Sequence, residues 1–118
     1  MYKLEVDGRP VPKKRPRVTK SHTYTPSEIV QYENKVLANW VAVHGNVELE
    51  GDLRVKLEFH YGDKRTGDID NLVKAPLDAL GGGGDGYRPF NDRQVKDLQA
   101  SIIAPVEDEK TVIEIEKT

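Results

Sequence analysis

The stretch "DLRVKLEFHYGDKRTGDIDNLVKAPLDAL" runs from Asp52 to Leu80. Its opening residues alternate strictly. Leu53, Val55, Leu57 and Phe59 point one way, and Arg54, Lys56, Glu58 and His60 the other. That period of two predicts a strand over 52–61 with one buried face. "GDKRTG" breaks it. From about Asp70 to Leu80 the spacing becomes helical, with Leu72, Val73, Pro76, Leu77 and Leu80 towards a core. Pro76 lies past the first turn, so it removes one backbone bond and is expected to kink or loosen this helix.

Working outward, "YKLEVD" at 2–7 reads as a short strand. "GRPVPKKRPR" follows, and its prolines exclude regular structure and favour a stiff, extended arm over 9–20. Thr25, Pro26 and Glu28 form a helix start, with Thr25 as N-cap, Pro26 at the first helical position and Glu28 closing a capping box. Ile29, Tyr32, Val36, Trp40 and Val43 then define one apolar helical face that stops at Gly45. Downstream, "GGGGDGYRPFND" reads as a flexible glycine-rich connection over 81–91. "VKDLQASIIA" and "TVIEIEK" are two closing strands joined through "PVEDEK". Strand, helix, strand, helix, strand, strand predicts a single α+β domain over 1–118, a small mixed sheet with two main helices packed on it.

Composition narrows the function. The chain has 118 residues and 36% hydrophobic content, enough for one modest core. It has no cysteine, which removes disulfides, zinc–thiolate sites and thiol nucleophiles. "MYKLEVDGRP" lacks the apolar run of a signal peptide, and no window approaches the ~18 apolar residues of a membrane helix. A soluble, cytoplasmic protein is expected. The net charge of −2 hides a segregation: Arg9, Lys13, Lys14, Arg15, Arg17 and Lys20 form a basic arm with no acid among them, while the tail carries Glu107, Asp108, Glu109, Glu114 and Glu116. A local basic stretch on a mildly acidic chain points to a polyanion, against the plainer reading of a solubilising loop.

Several motifs fail on context. "GGGGDG" contains G-x-G-x-x-G at Gly81, Gly83 and Gly86, but it follows a helix and opens none, so it is no dinucleotide fingerprint. "DIDNLVKAPLDA" begins like a calcium loop, yet Val73 stands where glycine is required and Ala79 where a glutamate belongs. His22, His44 and His60 show no ligand spacing, and no Gly-x-Ser-x-Gly elbow exists.

What survives is the pair Asp68 and Asp70, whose like charges repel unless something compensates. While the chain is still extended there, side chains two apart share one side. Helix capping by Asp70 would account for one aspartate but not both. A hard divalent cation, Mg²⁺ or Mn²⁺, accounts for both through oxygen ligation. Lys74 sits one turn beyond Asp70, either as an ordinary i,i+4 ion pair or as a cation aimed at a phosphate oxygen. A third carboxylate would come from Asp78, Asp85, Asp92 or Asp97. Asp92 is favoured because it follows the glycine-rich connection and precedes a strand.

Together these residues resemble the RusA family of Holliday-junction resolvases. "PVPKKRPR" with "YTP" and "YENKV" resembles the family's N-terminal region. "GDIDNLVKAPLDAL" resembles its D-x-D-N-L-x-K…D-A-L signature, and "NDRQV" its D-D-x-Q-V segment. The chain differs at Asn91, which replaces the first aspartate of that last segment, and in a longer, glycine-rich connection before it. The resemblance implies a Mg²⁺-dependent (or Mn²⁺-dependent) endonuclease that resolves four-way DNA junctions by paired nicks in recombination and repair. It implies Asp68, Asp70 and Asp92 as metal ligands, Lys74 as the essential lysine, and a homodimer. The basic arm would then bind backbone phosphates. Two rival functions remain: a non-cleaving branched-DNA-binding module, and a metal-dependent nucleotide phosphohydrolase.

Overall fold

A computed structural model describes residues 1–13, 17–18, 23–24, 27–82 and 86–118. Its strands are β1 (Tyr2–Asp7), β2 (Arg17–Val18), β3 (Thr23–Tyr24), β4 (Leu53–His60), β5 (Val95–Ile103) and β6 (Lys110–Lys117). Its helices are α1 (Ser27–His44) and α2 (Ile69–Gly81), with a 3-10 turn at Asp92–Gln94. The main sheet has the order β1-β6-β4-β5. β6 runs antiparallel to β1 and β4, whereas β5 runs parallel to β4. α2 supplies the crossover that a parallel pair needs. This is the mixed-sheet α+β domain that the alternating and helical periods predict.

The alternation in β4 holds. Leu53, Val55, Leu57 and Phe59 are all buried beneath the helices. α1 buries Ile29, Tyr32, Val36 and Trp40, and Tyr32 shares a hydroxyl hydrogen bond with Thr111 of β6. Val43, expected on that face, is 63% exposed. The last turn of α1 closes on β1 through His44 instead. The His44 ring lies 4.5 Å from Trp40 and 5.1 Å from Tyr2, and its Nε2–H donates to the Lys3 carbonyl at 2.9 Å. Gly45, at φ 73, ends the helix in the left-handed conformation that glycine adopts freely. The capping roles expected of Thr25 and Pro26 lie outside the described residues.

α2 runs unbroken through Pro76, whose ring is buried in the core. Both its ends are tightly packed. A Cβ on Gly67 would lie 2.8 Å from the Pro12 ring, and one on Gly81 would lie 2.6 Å from the Phe90 ring. The glycine-rich connection is anchored at Tyr87, Pro89 and Phe90. Tyr87 Oη accepts from the Trp40 indole at 3.2 Å and donates to the Val47 carbonyl at 2.5 Å. Phe90 is buried, and Leu49 N–H donates to the Pro89 carbonyl. Gly83, Gly84 and Asp85 lie outside the described residues. The arm also departs from a free extended strand. Its far end pairs as a small β2–β3 hairpin, with Arg17 opposite Tyr24.

Candidate active site

Asp68 occupies the N-cap position of α2 with extended φ and ψ, yet its side chain makes no capping hydrogen bond. Its carboxylate oxygens are therefore not engaged by the helix end they flank. Asp70 stands in the first helical turn, and Lys74 one turn on. All three side chains are exposed. Neither Asp70 nor Asp68 is paired with Lys74 among the described residues, so the i,i+4 ion pair is not formed there. On the α2 wheel, at 100° per residue, Leu72, Ala75, Pro76 and Ala79 face the core. Asp70 and Lys74 fall together on the opposite, outward side.

Asp92 is elsewhere. Its backbone nitrogen lies 3.2 Å from where a Gly81 Cβ would sit, which places it beside the C-terminal end of α2. α2 has 13 residues, so its ends are about 20 Å apart. Within one chain, Asp92 is thus separated from Asp68 and Asp70 by the length of the helix. Among the described residues, no three histidine or carboxylate side chains converge as a metal-holding group.

The neighbours of Asp92 have structural work that the sequence did not reveal. Asn91 is the N-cap of the 3-10 turn: its Oδ1 accepts from Arg93 N–H at 3.0 Å, while its own N–H donates to Gln94 Oε1 at 2.7 Å. Gln94 Nε2 donates to the carbonyls of Leu49 and Gly51. Asparagine caps as well as aspartate, so Asn91 can replace an acid at this position without losing the turn. The signal was present in "NDRQV" as a capping residue followed three positions on by glutamine.

The basic arm divides in two. Arg9 reaches Glu109 at 2.5 Å and Asp63 at 3.1 Å, and stacks over the Tyr61 ring at 4.7 Å. Lys13 bridges Glu33 of α1 and Asp78 of α2 at 3.0 and 2.9 Å, and its N–H donates to the Asn71 carbonyl. Burial disfavours the Lys13 ammonium, but its bonds to Asp78 and Glu33 outweigh that and hold its pKa above the usual value. Arg9 depresses the Asp63 pKa, helped by the Arg65 N–H. These two cations, expected to face phosphate, have acidic partners within the chain: Arg9 ties the arm to the loop before α2 and to Glu109, and Lys13 ties it to α1 and α2. The acids that neutralise them come from distant parts of the chain, which no local charge count detects. Lys14, Arg15 and Lys20, and the side chain of Arg17, lie outside the described residues. Lys64 and Arg65 were read only as part of a break, yet they stand exposed on the turn leading to Asp68. His60 donates to Glu58 at 3.2 Å on the sheet face turned away from the helices.

The family model described as endodeoxyribonuclease RusA matches residues 7–116. The chain belongs to the RusA family. The match spans the Arg9–Lys13 strap, both helices, β4, β5 and all but the last residue of β6, and reaches β1 only at Asp7. Membership of the RusA family implies an endodeoxyribonuclease that acts on branched DNA. No individually curated protein matches the chain. Among the described residues, no helix is long and apolar enough to cross a membrane.

Proposed function

We propose that the chain is a Mg²⁺-dependent, structure-selective endonuclease that nicks four-way DNA junctions, serving recombination and repair as a homodimer. The observation that carries this reading is the Asp68 carboxylate. It sits exposed at a helix N-terminus without capping it, two residues from Asp70, which shares the outward side of α2 with Lys74. Two oxygen donors of this kind suit a hard cation such as Mg²⁺ or Mn²⁺. Asp92 is the third proposed ligand, and a single chain does not deliver it to the other two.

When bound, the metal would supply Lewis-acid activation and charge neutralisation for phosphodiester hydrolysis. The remaining work falls to the protein. Asp68 and Asp70 would hold the metal at the mouth of α2. The helix N-terminus beside them favours negative charge and so offsets their mutual repulsion. Lys74 would bind a non-bridging phosphate oxygen and counter the charge that grows on it. Lys14, Arg15, Arg17 and Lys20 would hold flanking phosphates, with Arg9 and Lys13 anchoring the arm that carries them. Such contacts confer affinity without reading sequence.

The test is nicking of a synthetic four-way junction in Mg²⁺, compared with linear duplex of the same sequence. Cleavage of the junction alone is expected, lost in EDTA and reduced at least a hundredfold by Lys74→Ala. Equal cutting of linear duplex would overturn the junction selectivity. Binding without any cutting would favour the non-cleaving module.

A further inference from the structure

Among the described residues, Lys13, Arg88 and Lys110 are the lysines and arginines that lie half-buried. Lys13 is met by Glu33 and Asp78, and Lys110 by Glu5. No described carboxylate meets Arg88. Its Nη1 donates to the carbonyl of its own neighbour, Tyr87, at 2.7 Å. Its Nε–H is buried with no acceptor. Burying a charged donor without a partner costs stability. Such a group in a folded protein calls for an explanation, and a ligand that takes the charge is one.

The surroundings favour an anionic ligand. Arg88 stands on a braced segment at the C-terminal end of α2. Tyr87 before it is tied to Trp40 and to the Val47 carbonyl. After it, Leu49 N–H donates to the Pro89 carbonyl, and the Leu49 carbonyl accepts from Gln94 Nε2. The segment after Arg88 and the 3-10 turn that carries Asp92 are thus fastened to one residue. This end of α2 repels DNA. The helix presents its negative pole, its last turn has no basic residue, and Asp92 adds a carboxylate. At the opposite end the positive pole and Lys74 can receive phosphate. A strand passing Asp92 therefore needs a cation fixed nearby. Arg93 is exposed and turned to Asn91 Oδ1 at 3.3 Å. Arg88 is half-buried and already ordered, so little freedom is lost when its planar fork takes two phosphate oxygens.

We propose that Arg88 binds a backbone phosphate of the DNA strand that passes Asp92. This is a substrate-binding residue outside the basic arm, on the glycine-rich connection in which the chain differs from the family pattern. The proposal rests on the nuclease reading only in placing DNA at Asp92. The rival role is structural, with Arg88 as a counter-charge for the C-terminal end of α2.

Binding of a synthetic four-way junction in EDTA, measured across a salt series, separates the two. Arg88→Ala should weaken binding about tenfold and flatten the slope of log affinity against log salt by about one phosphate contact. Arg88→Lys should restore the slope but only part of the affinity, because a point charge lacks the two-pronged fork. The thermal midpoint of Arg88→Ala should stay level or rise, since a desolvated charge is removed. If Arg88→Ala does not fold, Arg88→Gln keeps most of the bulk without the charge and carries the same expectation. An unchanged slope, with or without a lower midpoint, would overturn the proposal. So would an equal flattening by Lys56→Ala, whose exposed side chain lies on the sheet face turned away from the helices. A wild type that binds junctions but cuts none in Mg²⁺ would sink the nuclease reading, and a flattened slope in Arg88→Ala would still establish the phosphate contact.

Discussion

Asp68 and Arg9 are both charged residues on exposed backbone, and the structure gives them opposite kinds of work. The Asp68 side chain makes no hydrogen bond to the helix it precedes, so in the metal-free protein its charge adds a repulsion that the helix N-terminus offsets, without the gain of a capping bond. Asp68→Asn should therefore abolish nicking, leave junction binding in EDTA equal or stronger, and leave the thermal midpoint of the metal-free protein unchanged or slightly raised. Near wild-type cutting by that variant would remove Asp68 from the site. Arg9, by contrast, lowers the Asp63 pKa. A carboxyl held below its unfolded value stabilises the fold above that value, and the stability is lost as pH falls through the folded pKa. Arg9→Ala should thus weaken the wild-type protein's advantage near neutrality. It should also flatten the acid limb of the stability profile below about pH 4. Midpoints of urea unfolding from pH 7 to pH 3 would show it, and parallel limbs would argue against the pairing.

At the level of elements, α2 and the turn before β5 show how two short segments hold the site apart within one chain. The 13-residue crossover helix carries the D-x-D pair at one end and abuts Asp92 at the other. The 3-10 turn keeps its shape through the reciprocal Asn91–Gln94 bonds. Loss of an N-cap costs about 1 kcal/mol, so Asn91→Ala should destabilise the protein by roughly that amount. Asn91→Asp should leave both stability and nicking close to wild type, because either residue caps. If Asn91→Asp instead raised cutting several-fold in Mg²⁺, position 91 would belong to the chemistry and not to the turn.

For the whole molecule, a net charge of −2 and a pI near 5.9 mean that DNA affinity must come from a local patch rather than from overall charge. The structure makes a strap of Arg9 and Lys13, and the other four basic residues of the arm are the ones proposed to bind DNA. That division has a salt signature. Changing Arg15 and Arg17 to Ala should weaken binding to every DNA and flatten the slope of log affinity against log salt by about one phosphate contact each. Lys13→Ala should leave the slope unchanged and lower the midpoint of thermal unfolding, since it breaks the bridge between Glu33 and Asp78. A reduced slope for Lys13→Ala would return that lysine to the DNA interface.

Periodicity and local chemistry were legible without a structure. The alternation of 52–61, the helical stripes ending at Gly45 and Leu80, and the D-x-D-N-L-x-K string depend on neighbours a few positions apart, and side-chain direction follows backbone period. From these came the mixed α+β domain and the RusA family. Tertiary structure alone decided what depends on contacts between distant residues. It paired Arg9 with Asp63 and Glu109 and Lys13 with Glu33 and Asp78, replaced Val43 by His44 at the end of α1, and packed Phe90 against Gly81. It also placed Asp92 a helix length from Asp68 and Asp70. A parallel β4–β5 pair requires its connecting helix to run the full height of the sheet and return, and no residue in "GDIDNLVKAP" or "NDRQV" carries that distance.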